Sequence, residues 1–508
     1  MLTLSEEMVM RRTQKNMISA VLAQIVTIIT GFLVQRYVLI SFGSSYNGLT
    51  SAVTQILQYL VLLEAGLTTA SIQALYKPIT DKNNKTVSGI LSATRLKFLN
   101  VGIIFFVCLL ATAFILPLIV GDEISYFLVF VITIASGAGT GLTYMFANKY
   151  QALFYADNRT GIVYNLTSIA NVVICVAKII LMVCGQSIVL VQSAALIGVL
   201  IRVAAMHKIF KKDYPELTFK TQPQYRLINK SKNVLIHQIA GFVHNNTDVL
   251  LITILADLKS VSLYTVYNLV YSHINSLMQS VFAQAPMGYF GQYYAKDKKG
   301  YREFFSTFET GYTCLVFIVM TVTMLMILPF VSLYTKGVND INYINPLLAW
   351  LFFFAQTLNL VRIPSILTVN VSGNFKETQK GAIIEAIINL SLSIPLFLVF
   401  GVHGLLIGTI AAMAYRSIDI TIFTYRNICN KKILSFFIKL STNFMVSILC
   451  ITVLTPLIEK YTISWLSWMI CGVCAFFITS VVLVVANIIL CKSEMGKFAK
   501  IIRSIISK

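Results

Sequence analysis

Residues 101–120 read Val-Gly-Ile-Ile-Phe-Phe-Val-Cys-Leu-Leu-Ala-Thr-Ala-Phe-Ile-Leu-Pro-Leu-Ile-Val, without a single charge. At a rise of about 1.5 Å per residue, a helix of this length covers roughly the 30 Å hydrocarbon core of a bilayer. Working outward, about fourteen apolar stretches of roughly 20 to 28 residues recur along the chain, each long enough to cross. They fall at 16–41, 47–75, 88–118, 124–148, 160–184, 187–209, 234–256, 261–290, 304–335, 343–371, 378–400, 402–425, 436–457 and 465–491. The expected fold is an all-α polytopic membrane protein. The two longest spans either tilt or end in interfacial turns at Pro117 and Pro329.

Charge supports the same count. Most of the 40 Lys and Arg residues fall in alternate loops and in both tails, whereas the intervening loops hold only Lys259, Lys336 and Lys460. That is the positive-inside pattern, and it places both termini in the cytoplasm. The net charge of +20 then belongs to loops facing an anionic leaflet, which argues against nucleic-acid binding. The first apolar run follows Arg11, Arg12 and Lys15 and is too long for a cleavable signal, so it reads as a retained span.

The longest polar interruption, from about His207 to Lys232, divides the chain into six helices, six more and a final pair. The expected organisation is an N-lobe over 1–209, a cytoplasmic linker loop over 210–233, a C-lobe over 234–430, and a last pair of helices with an amphipathic tail over 431–508. Weak echoes favour a duplication: Lys15-Asn16 and Lys232-Asn233 open spans one and seven, and Ala156-Asp157-Asn158-Arg159 resembles Gly373-Asn374-Phe375-Lys376. Because each half has an even number of spans, the repeat is parallel, related by an axis along the membrane normal.

Ionisable residues at helix depth cost about 2.5 to 3.5 kcal/mol each on insertion scales, so each is a candidate for a cavity. Arg36, Glu64, Lys178, Arg202, Asp248, Arg362, Glu385, Arg416 and Asp419 lie within the spans. Arg36, Lys178 and Arg202 are near enough to helix ends to snorkel toward headgroups. Arg416 and Asp419, three residues apart, share a helix face and either neutralise each other or face a substrate. Glu64, Asp248 and Arg362 sit near mid-span, where snorkelling fails; a carboxylate there can bind a proton or sodium ion, or pair with Arg362. The histidines show no metal-ligand spacing, and Cys471 and Cys474 form a C-x-x-C with no polar company, which reads as packing. No P-loop or hydrolase motif is present in the sequence.

Arg36 with Phe42-Gly43 and Tyr46-Asn47-Gly48-Leu49, the Asn246-Thr247-Asp248 segment, Gly373-Asn374-Phe375-Lys376 through Ile384-Glu385-Ala386, Asn389-Leu390-Ser391-Leu392-Ser393, and Gly404-Leu405-Leu406-Ile407-Gly408-Thr409 carry a family resemblance over essentially the whole chain. The chain resembles the polysaccharide transporter family of the MOP superfamily, the Wzx-type flippases of bacterial O-antigen, capsule and exopolysaccharide units.

The resemblance implies export of an undecaprenyl-pyrophosphate-linked oligosaccharide across the cytoplasmic membrane by alternating access, coupled to H+ or Na+ and needing no bound cofactor. The partners it implies are the lipid-linked glycan, the bilayer, and glycan polymerase and assembly machinery. Carried over by position, Arg36, Arg362, Arg416 and Lys178 become pyrophosphate candidates, and Glu64, Asp248, Glu385 and Asp419 cation-coupling candidates. Spans thirteen and fourteen become a groove for the lipid tail. Two alternatives stay open: a cation-coupled multidrug exporter of the same superfamily, and a membrane glycan polymerase or glycosyltransferase. An enzyme is disfavoured because no outward loop exceeds about a dozen residues.

Overall fold

A computed structural model describes residues 4–64, 66–228, 247–284 and 286–506; the described residues are helical with connecting turns and contain no strand. Eleven helices among them are long and apolar enough to cross a membrane. Three expected spans are not among the eleven, each for a stated reason. Span 47–75 is interrupted, and 261–290 is interrupted and rich in Ser, Asn and Tyr. Span 234–256 begins outside the described residues, as do His237, His244, Asn245 and Asn246.

The chain forms two compact units, Met1–Leu263 and Tyr264–Lys508. In the first, α1 (Leu4–Phe42) packs against α7 (Thr160–Val183), α4 (Asn84–Val120) against α5 (Tyr126–Leu142), and α3 (Leu67–Thr80) against α6 (Asn148–Ala156). The remaining helices of this unit are α2 (Ser44–Val61), the short α8 (Ile188–Ser193), α9 (Ala195–Asp213) and α10, described over 247–255. The boundary between units falls in α11 (Leu258–Gln279), which α12 (Met287–Lys296) follows.

Of the expected linker loop over 210–233, residues 210–228 are described: 210–213 still belong to α9, and 214–228 are strapped along the start of α4. Gln224 N–H donates to Gly89 O (3.1 Å), Thr218 N–H to Ser88 Oγ (3.2 Å), and Lys97 Nζ to Ile228 O (3.3 Å). A Cβ on Gly89 would lie 2.9 Å from the Gln224 side chain, so this glycine lets the strap lie close. Burial and a hydrogen bond to Asp157 push the Tyr214 phenol well above its usual pKa, and Asp213 pairs with Arg159 at 2.6 Å, fixing the strap's beginning to the turn before α7.

The second unit is built around α13 (Lys298–Tyr334), whose apolar window is 67% buried, the most of any candidate span. Against it pack α14 (Pro346–Val361), α15 (Ile363–Ser372), α18 (Leu434–Tyr461), α19 (Trp465–Leu490) and α20 (Lys492–Ile506), while α17 (Val402–Phe423) packs on α14 and α16 (Phe375–Phe400) on α17. By contrast α19 is apolar all round and largely exposed, with Phe477, Val481 and Ile489 outward, as suits a helix whose surroundings are lipid. Pro117 and Pro329 end neither helix: α4 runs on to Val120, where Gly121 (φ 66°) turns the chain, and α13 runs on to Tyr334.

Candidate functional site

Pro364 lacks the N–H that would continue a helix, and the chain breaks there into α14 and α15 with Arg362 at the junction. The break aims the Arg362 guanidinium inward. Its Nη1 donates to Glu385 Oε1 (2.5 Å) and its Nη2 to Asn359 Oδ1 (2.6 Å), while its buried Nε has no hydrogen-bond partner among the described residues. Glu385 Oε2 lies 3.8 Å from Arg416 Nε, and Arg416 Nη1 donates to Asp419 Oδ2 at 2.6 Å. Four sequence candidates therefore form one chain of alternating charge, Arg362–Glu385–Arg416–Asp419, with no net charge. The first three side chains are 10% exposed or less, and Asp419 is 34% exposed. Desolvating so many charges is costly, and only their mutual attraction and hydrogen bonds offset it.

The local packing follows from residue spacing. Gly381, Glu385, Asn389 and Ser393 recur every four residues and so share one face of α16. Along it, Asn389 Nδ2 donates to Thr409 Oγ1 (3.1 Å) and Ser393 Oγ to Leu405 O (3.2 Å). Opposite, Gly404 and Gly408 form a G-x-x-x-G pair that lets α17 approach closely. A Cβ at Gly404 would fall 1.9 Å from Leu396 O, and one at Gly381 2.0 Å from Asp419 Oδ2.

Unit one holds a second polar focus built from two helix irregularities. Between α2 and α3 the backbone tightens into a 3₁₀ turn, Leu62–Glu64, and Gly66, in the left-handed region, precedes the start of α3. Between α5 and α6 it widens into a π turn, Thr143–Ala147. Glu64 accepts hydrogen bonds from Thr68 Oγ1 and from Asn148 Nδ2 (2.9 Å), the residue just past that π turn. Arg202 Nη2 donates to Thr143 Oγ1 at 2.6 Å, on the same turn.

Other candidates lie apart from these foci. Lys178 Nζ donates to Gln192 Oε1 at 2.8 Å, between α7 and α8. Arg36 is half-buried on α1. Asp248 is half-buried on α10, one residue from Thr247, whose hydroxyl meets the Tyr59 phenol at 3.2 Å.

One buried ion pair went unread in the sequence. Glu309 and Lys439, 2% and 5% exposed, meet at 3.4 Å between α13 and α18; Tyr425 donates to Glu309 at 2.6 Å and Lys439 to Thr310 Oγ1 at 2.8 Å. Lys439 counts in the sequence as an inward-end cation, and nothing local marks Glu309 as its partner. The only available signal is that Glu309 lies several residues inside an apolar span.

Helices α18 and α19 flank a groove of about 490 Å³ lined by Leu454, Leu457, Ile470, Cys471, Cys474 and Ile478 among others. Cys471 and Cys474 are free thiols facing this apolar space. The other end of the helix pair is clamped by reciprocal amides: Asn443 Nδ2 donates to Asn487 Oδ1 (3.2 Å) and Asn487 Nδ2 to Asn443 Oδ1 (2.8 Å), both side chains about 1% exposed.

Comparison with known proteins adds the following. A family model described as polysaccharide biosynthesis protein matches residues 13–294. No curated protein sequence matches the chain. Among solved structures, the lipid II flippase MurJ in an inward closed conformation is 15% identical with a TM-score of 0.66, covering 91% of this chain and 98% of that one. An inward-facing multidrug resistance MATE transporter of the MOP superfamily is 13% identical with a TM-score of 0.60, covering 81% and 98%. A MOP superfamily transporter from Pyrococcus furiosus, with a binding pocket of reverse polarity, is 13% identical with a TM-score of 0.54, covering 83% and 97%. At these identities the likeness concerns fold. With the family model matching more than half its length, this multi-pass membrane chain belongs to the polysaccharide biosynthesis protein family and has the fold of a MOP-type transporter.

Proposed function

We propose that this protein is a flippase that carries a polyprenyl-diphosphate-linked oligosaccharide across the cytoplasmic membrane by alternating access, drawing on an H+ or Na+ gradient. The observation that carries the reading is the groove between α18 and α19. It is almost wholly apolar and lies between the two helices that the sequence reading sets apart from the paired halves. A prenyl chain gains by lying there, whereas a glycan with many hydroxyls needs polar partners to leave water at all.

Interrupted segments support a transport role. The second expected span of each half is interrupted, at Leu62–Gly66 and around Pro286, and the fourth is distorted without being cut, by the π turn at Thr143–Ala147 and by the turn at Arg362. Breaks at corresponding positions of two repeats are the usual mark of a substrate or ion path in transporters. In this reading Arg362, Arg416, Arg36 and Lys178 serve the diphosphate, and Glu64, Asp248, Glu385 and Asp419 the coupling cation. The shared position of Glu385 between two arginines suggests an exchange: a coupling cation that engages Glu385 releases Arg362 for the diphosphate, and its departure restores the pair.

A cation-coupled drug exporter is the second reading, favoured by the likeness to MATE structures and by the cancelled charge of the α16–α17 cluster. Two measurements separate them. Deleting the gene should trap lipid-linked glycan in the inner leaflet and leave drug susceptibility unchanged. Normal surface glycan together with drug hypersensitivity in the deletion strain would overturn the flippase reading.

A further inference from the structure

At the end of unit two where basic residues gather, a cavity of about 230 Å³ opens between the start of α13, the turn after α17 and the first turns of α20. It has room for roughly seven waters at about 30 Å³ each. Its lining combines Arg302, Lys431 and Lys497 with the hydroxyls of Ser306, Thr307 and Ser493. Glu303 and Glu494 also line it; Glu303 is taken by Lys497 at 3.2 Å, which leaves Glu494 as the second carboxylate of the lining.

These groups are incompletely used. Arg302 spends its Nε on Ile428 O (3.0 Å), which orients the guanidinium and leaves its terminal nitrogens without a protein acceptor among the described residues. Lys431 makes no side-chain hydrogen bond or ion pair among the described residues. Burial, and then the nearby Lys439 ammonium, hold it below its ordinary pKa against the weaker opposing pull of the Glu309 and Glu494 carboxylates. Ser306 is 5% exposed, lines the cavity, and has no hydroxyl partner among the described residues.

We infer that this cavity binds a phosphate group, held by Arg302 and Lys431 with Ser306 donating, and that the phosphate reaches it on an anionic lipid of the adjoining leaflet. A fork-shaped guanidinium, an ammonium and hydroxyls around a small hollow match tetrahedral phosphate oxygens better than a planar carboxylate. The neighbouring helix fits a lipid source. α20 is amphipathic and anchored by Phe498, whose ring lies 2.4 Å from where a Cβ on Gly311 would be. A helix of that character, rich in Lys, lies at the boundary of headgroups and acyl chains. The site is separate from the transport machinery assigned above and does not depend on that assignment.

The test is native mass spectrometry of the full purified chain released from detergent and titrated with phosphatidylglycerol or phosphatidylcholine, with inorganic phosphate as competitor. Phosphatidylglycerol should bind selectively, and R302Q/K431Q should weaken it by roughly tenfold, while Lys431→Arg should retain it. Ser306→Leu, which fills the hollow without altering charge, should give the same loss and guards against a misfolded double variant. Competition by inorganic phosphate, or its binding alone with the same variant dependence, identifies the phosphate group itself as the ligand. Equal binding of both lipids, or phosphatidylglycerol adducts unchanged in R302Q/K431Q and Ser306→Leu, would overturn the site.

Discussion

Arg362 Nη1 stands 2.5 Å from Glu385 Oε1, joining the break between α14 and α15 to the middle of α16, and both side chains are only 8% exposed. A pair this buried is weak evidence of stability gained, because desolvation opposes attraction. It is strong evidence of stability at risk, because loss of Arg362 would leave Glu385 only the longer 3.8 Å contact with Arg416, and loss of Glu385 would leave buried Arg362 with the neutral amide of Asn359.

Arg362→Ala should destabilise the purified protein by about 3 to 5 kcal/mol, whereas R362A/E385A should recover part of that loss. Thermal unfolding of the set in nanodiscs measures the coupling. Additive losses would show that the two residues do not act as a pair.

Glu64→Gln replaces a double acceptor with a group that must turn a donor toward Thr68 or Asn148, and removes the charge. Gradient-driven export in proteoliposomes should fall by roughly tenfold or more, with expression little changed. Undiminished dependence on the ion gradient would take Glu64 off the coupling path.

Cys474→Trp should fill the α18–α19 groove and abolish export of the lipid-linked substrate, while Cys474→Ser is tolerated. A prenyl phosphate should also slow maleimide labelling of Cys471 and Cys474. Labelling rates indifferent to the lipid would leave the groove without an occupant.

Gly404→Ala puts a Cβ 1.9 Å from Leu396 O, against backbone that cannot yield as a side chain would. Overpacking of this kind costs about 1 to 3 kcal/mol, read as a lower unfolding temperature. Gly337→Ala serves as a control for crowding, since nothing lies within 4 Å of its Cβ position, although its φ of 97° adds backbone strain.

Sequence reading reached furthest where the membrane imposes the rule. Apolar length must match bilayer thickness, so residues 101–120 announce a helix without knowledge of any neighbour. Arg416 and Asp419 were legible as a pair because three residues bring them to one face of one helix. Arg362 and Glu385, 23 apart, and Lys439 and Glu309, 130 apart, meet only because particular helices adjoin, and no local pattern encodes that. Span 47–75 reads as continuous because Leu62-Leu63-Glu64-Ala65-Gly66-Leu67 is apolar on balance. The π turn at Thr143–Ala147 is a change in backbone hydrogen-bond register, to which hydropathy is blind.

The reciprocal amides of Asn443 and Asn487 bear on how the protein is made. Each amide satisfies the other only after both helices are side by side, so either helix entering the bilayer alone would carry an unmatched polar group into oil. The cheaper route during synthesis is for the two to leave the translocation machinery together as one hairpin. A ribosome stalled between them should hold the first helix back in the channel.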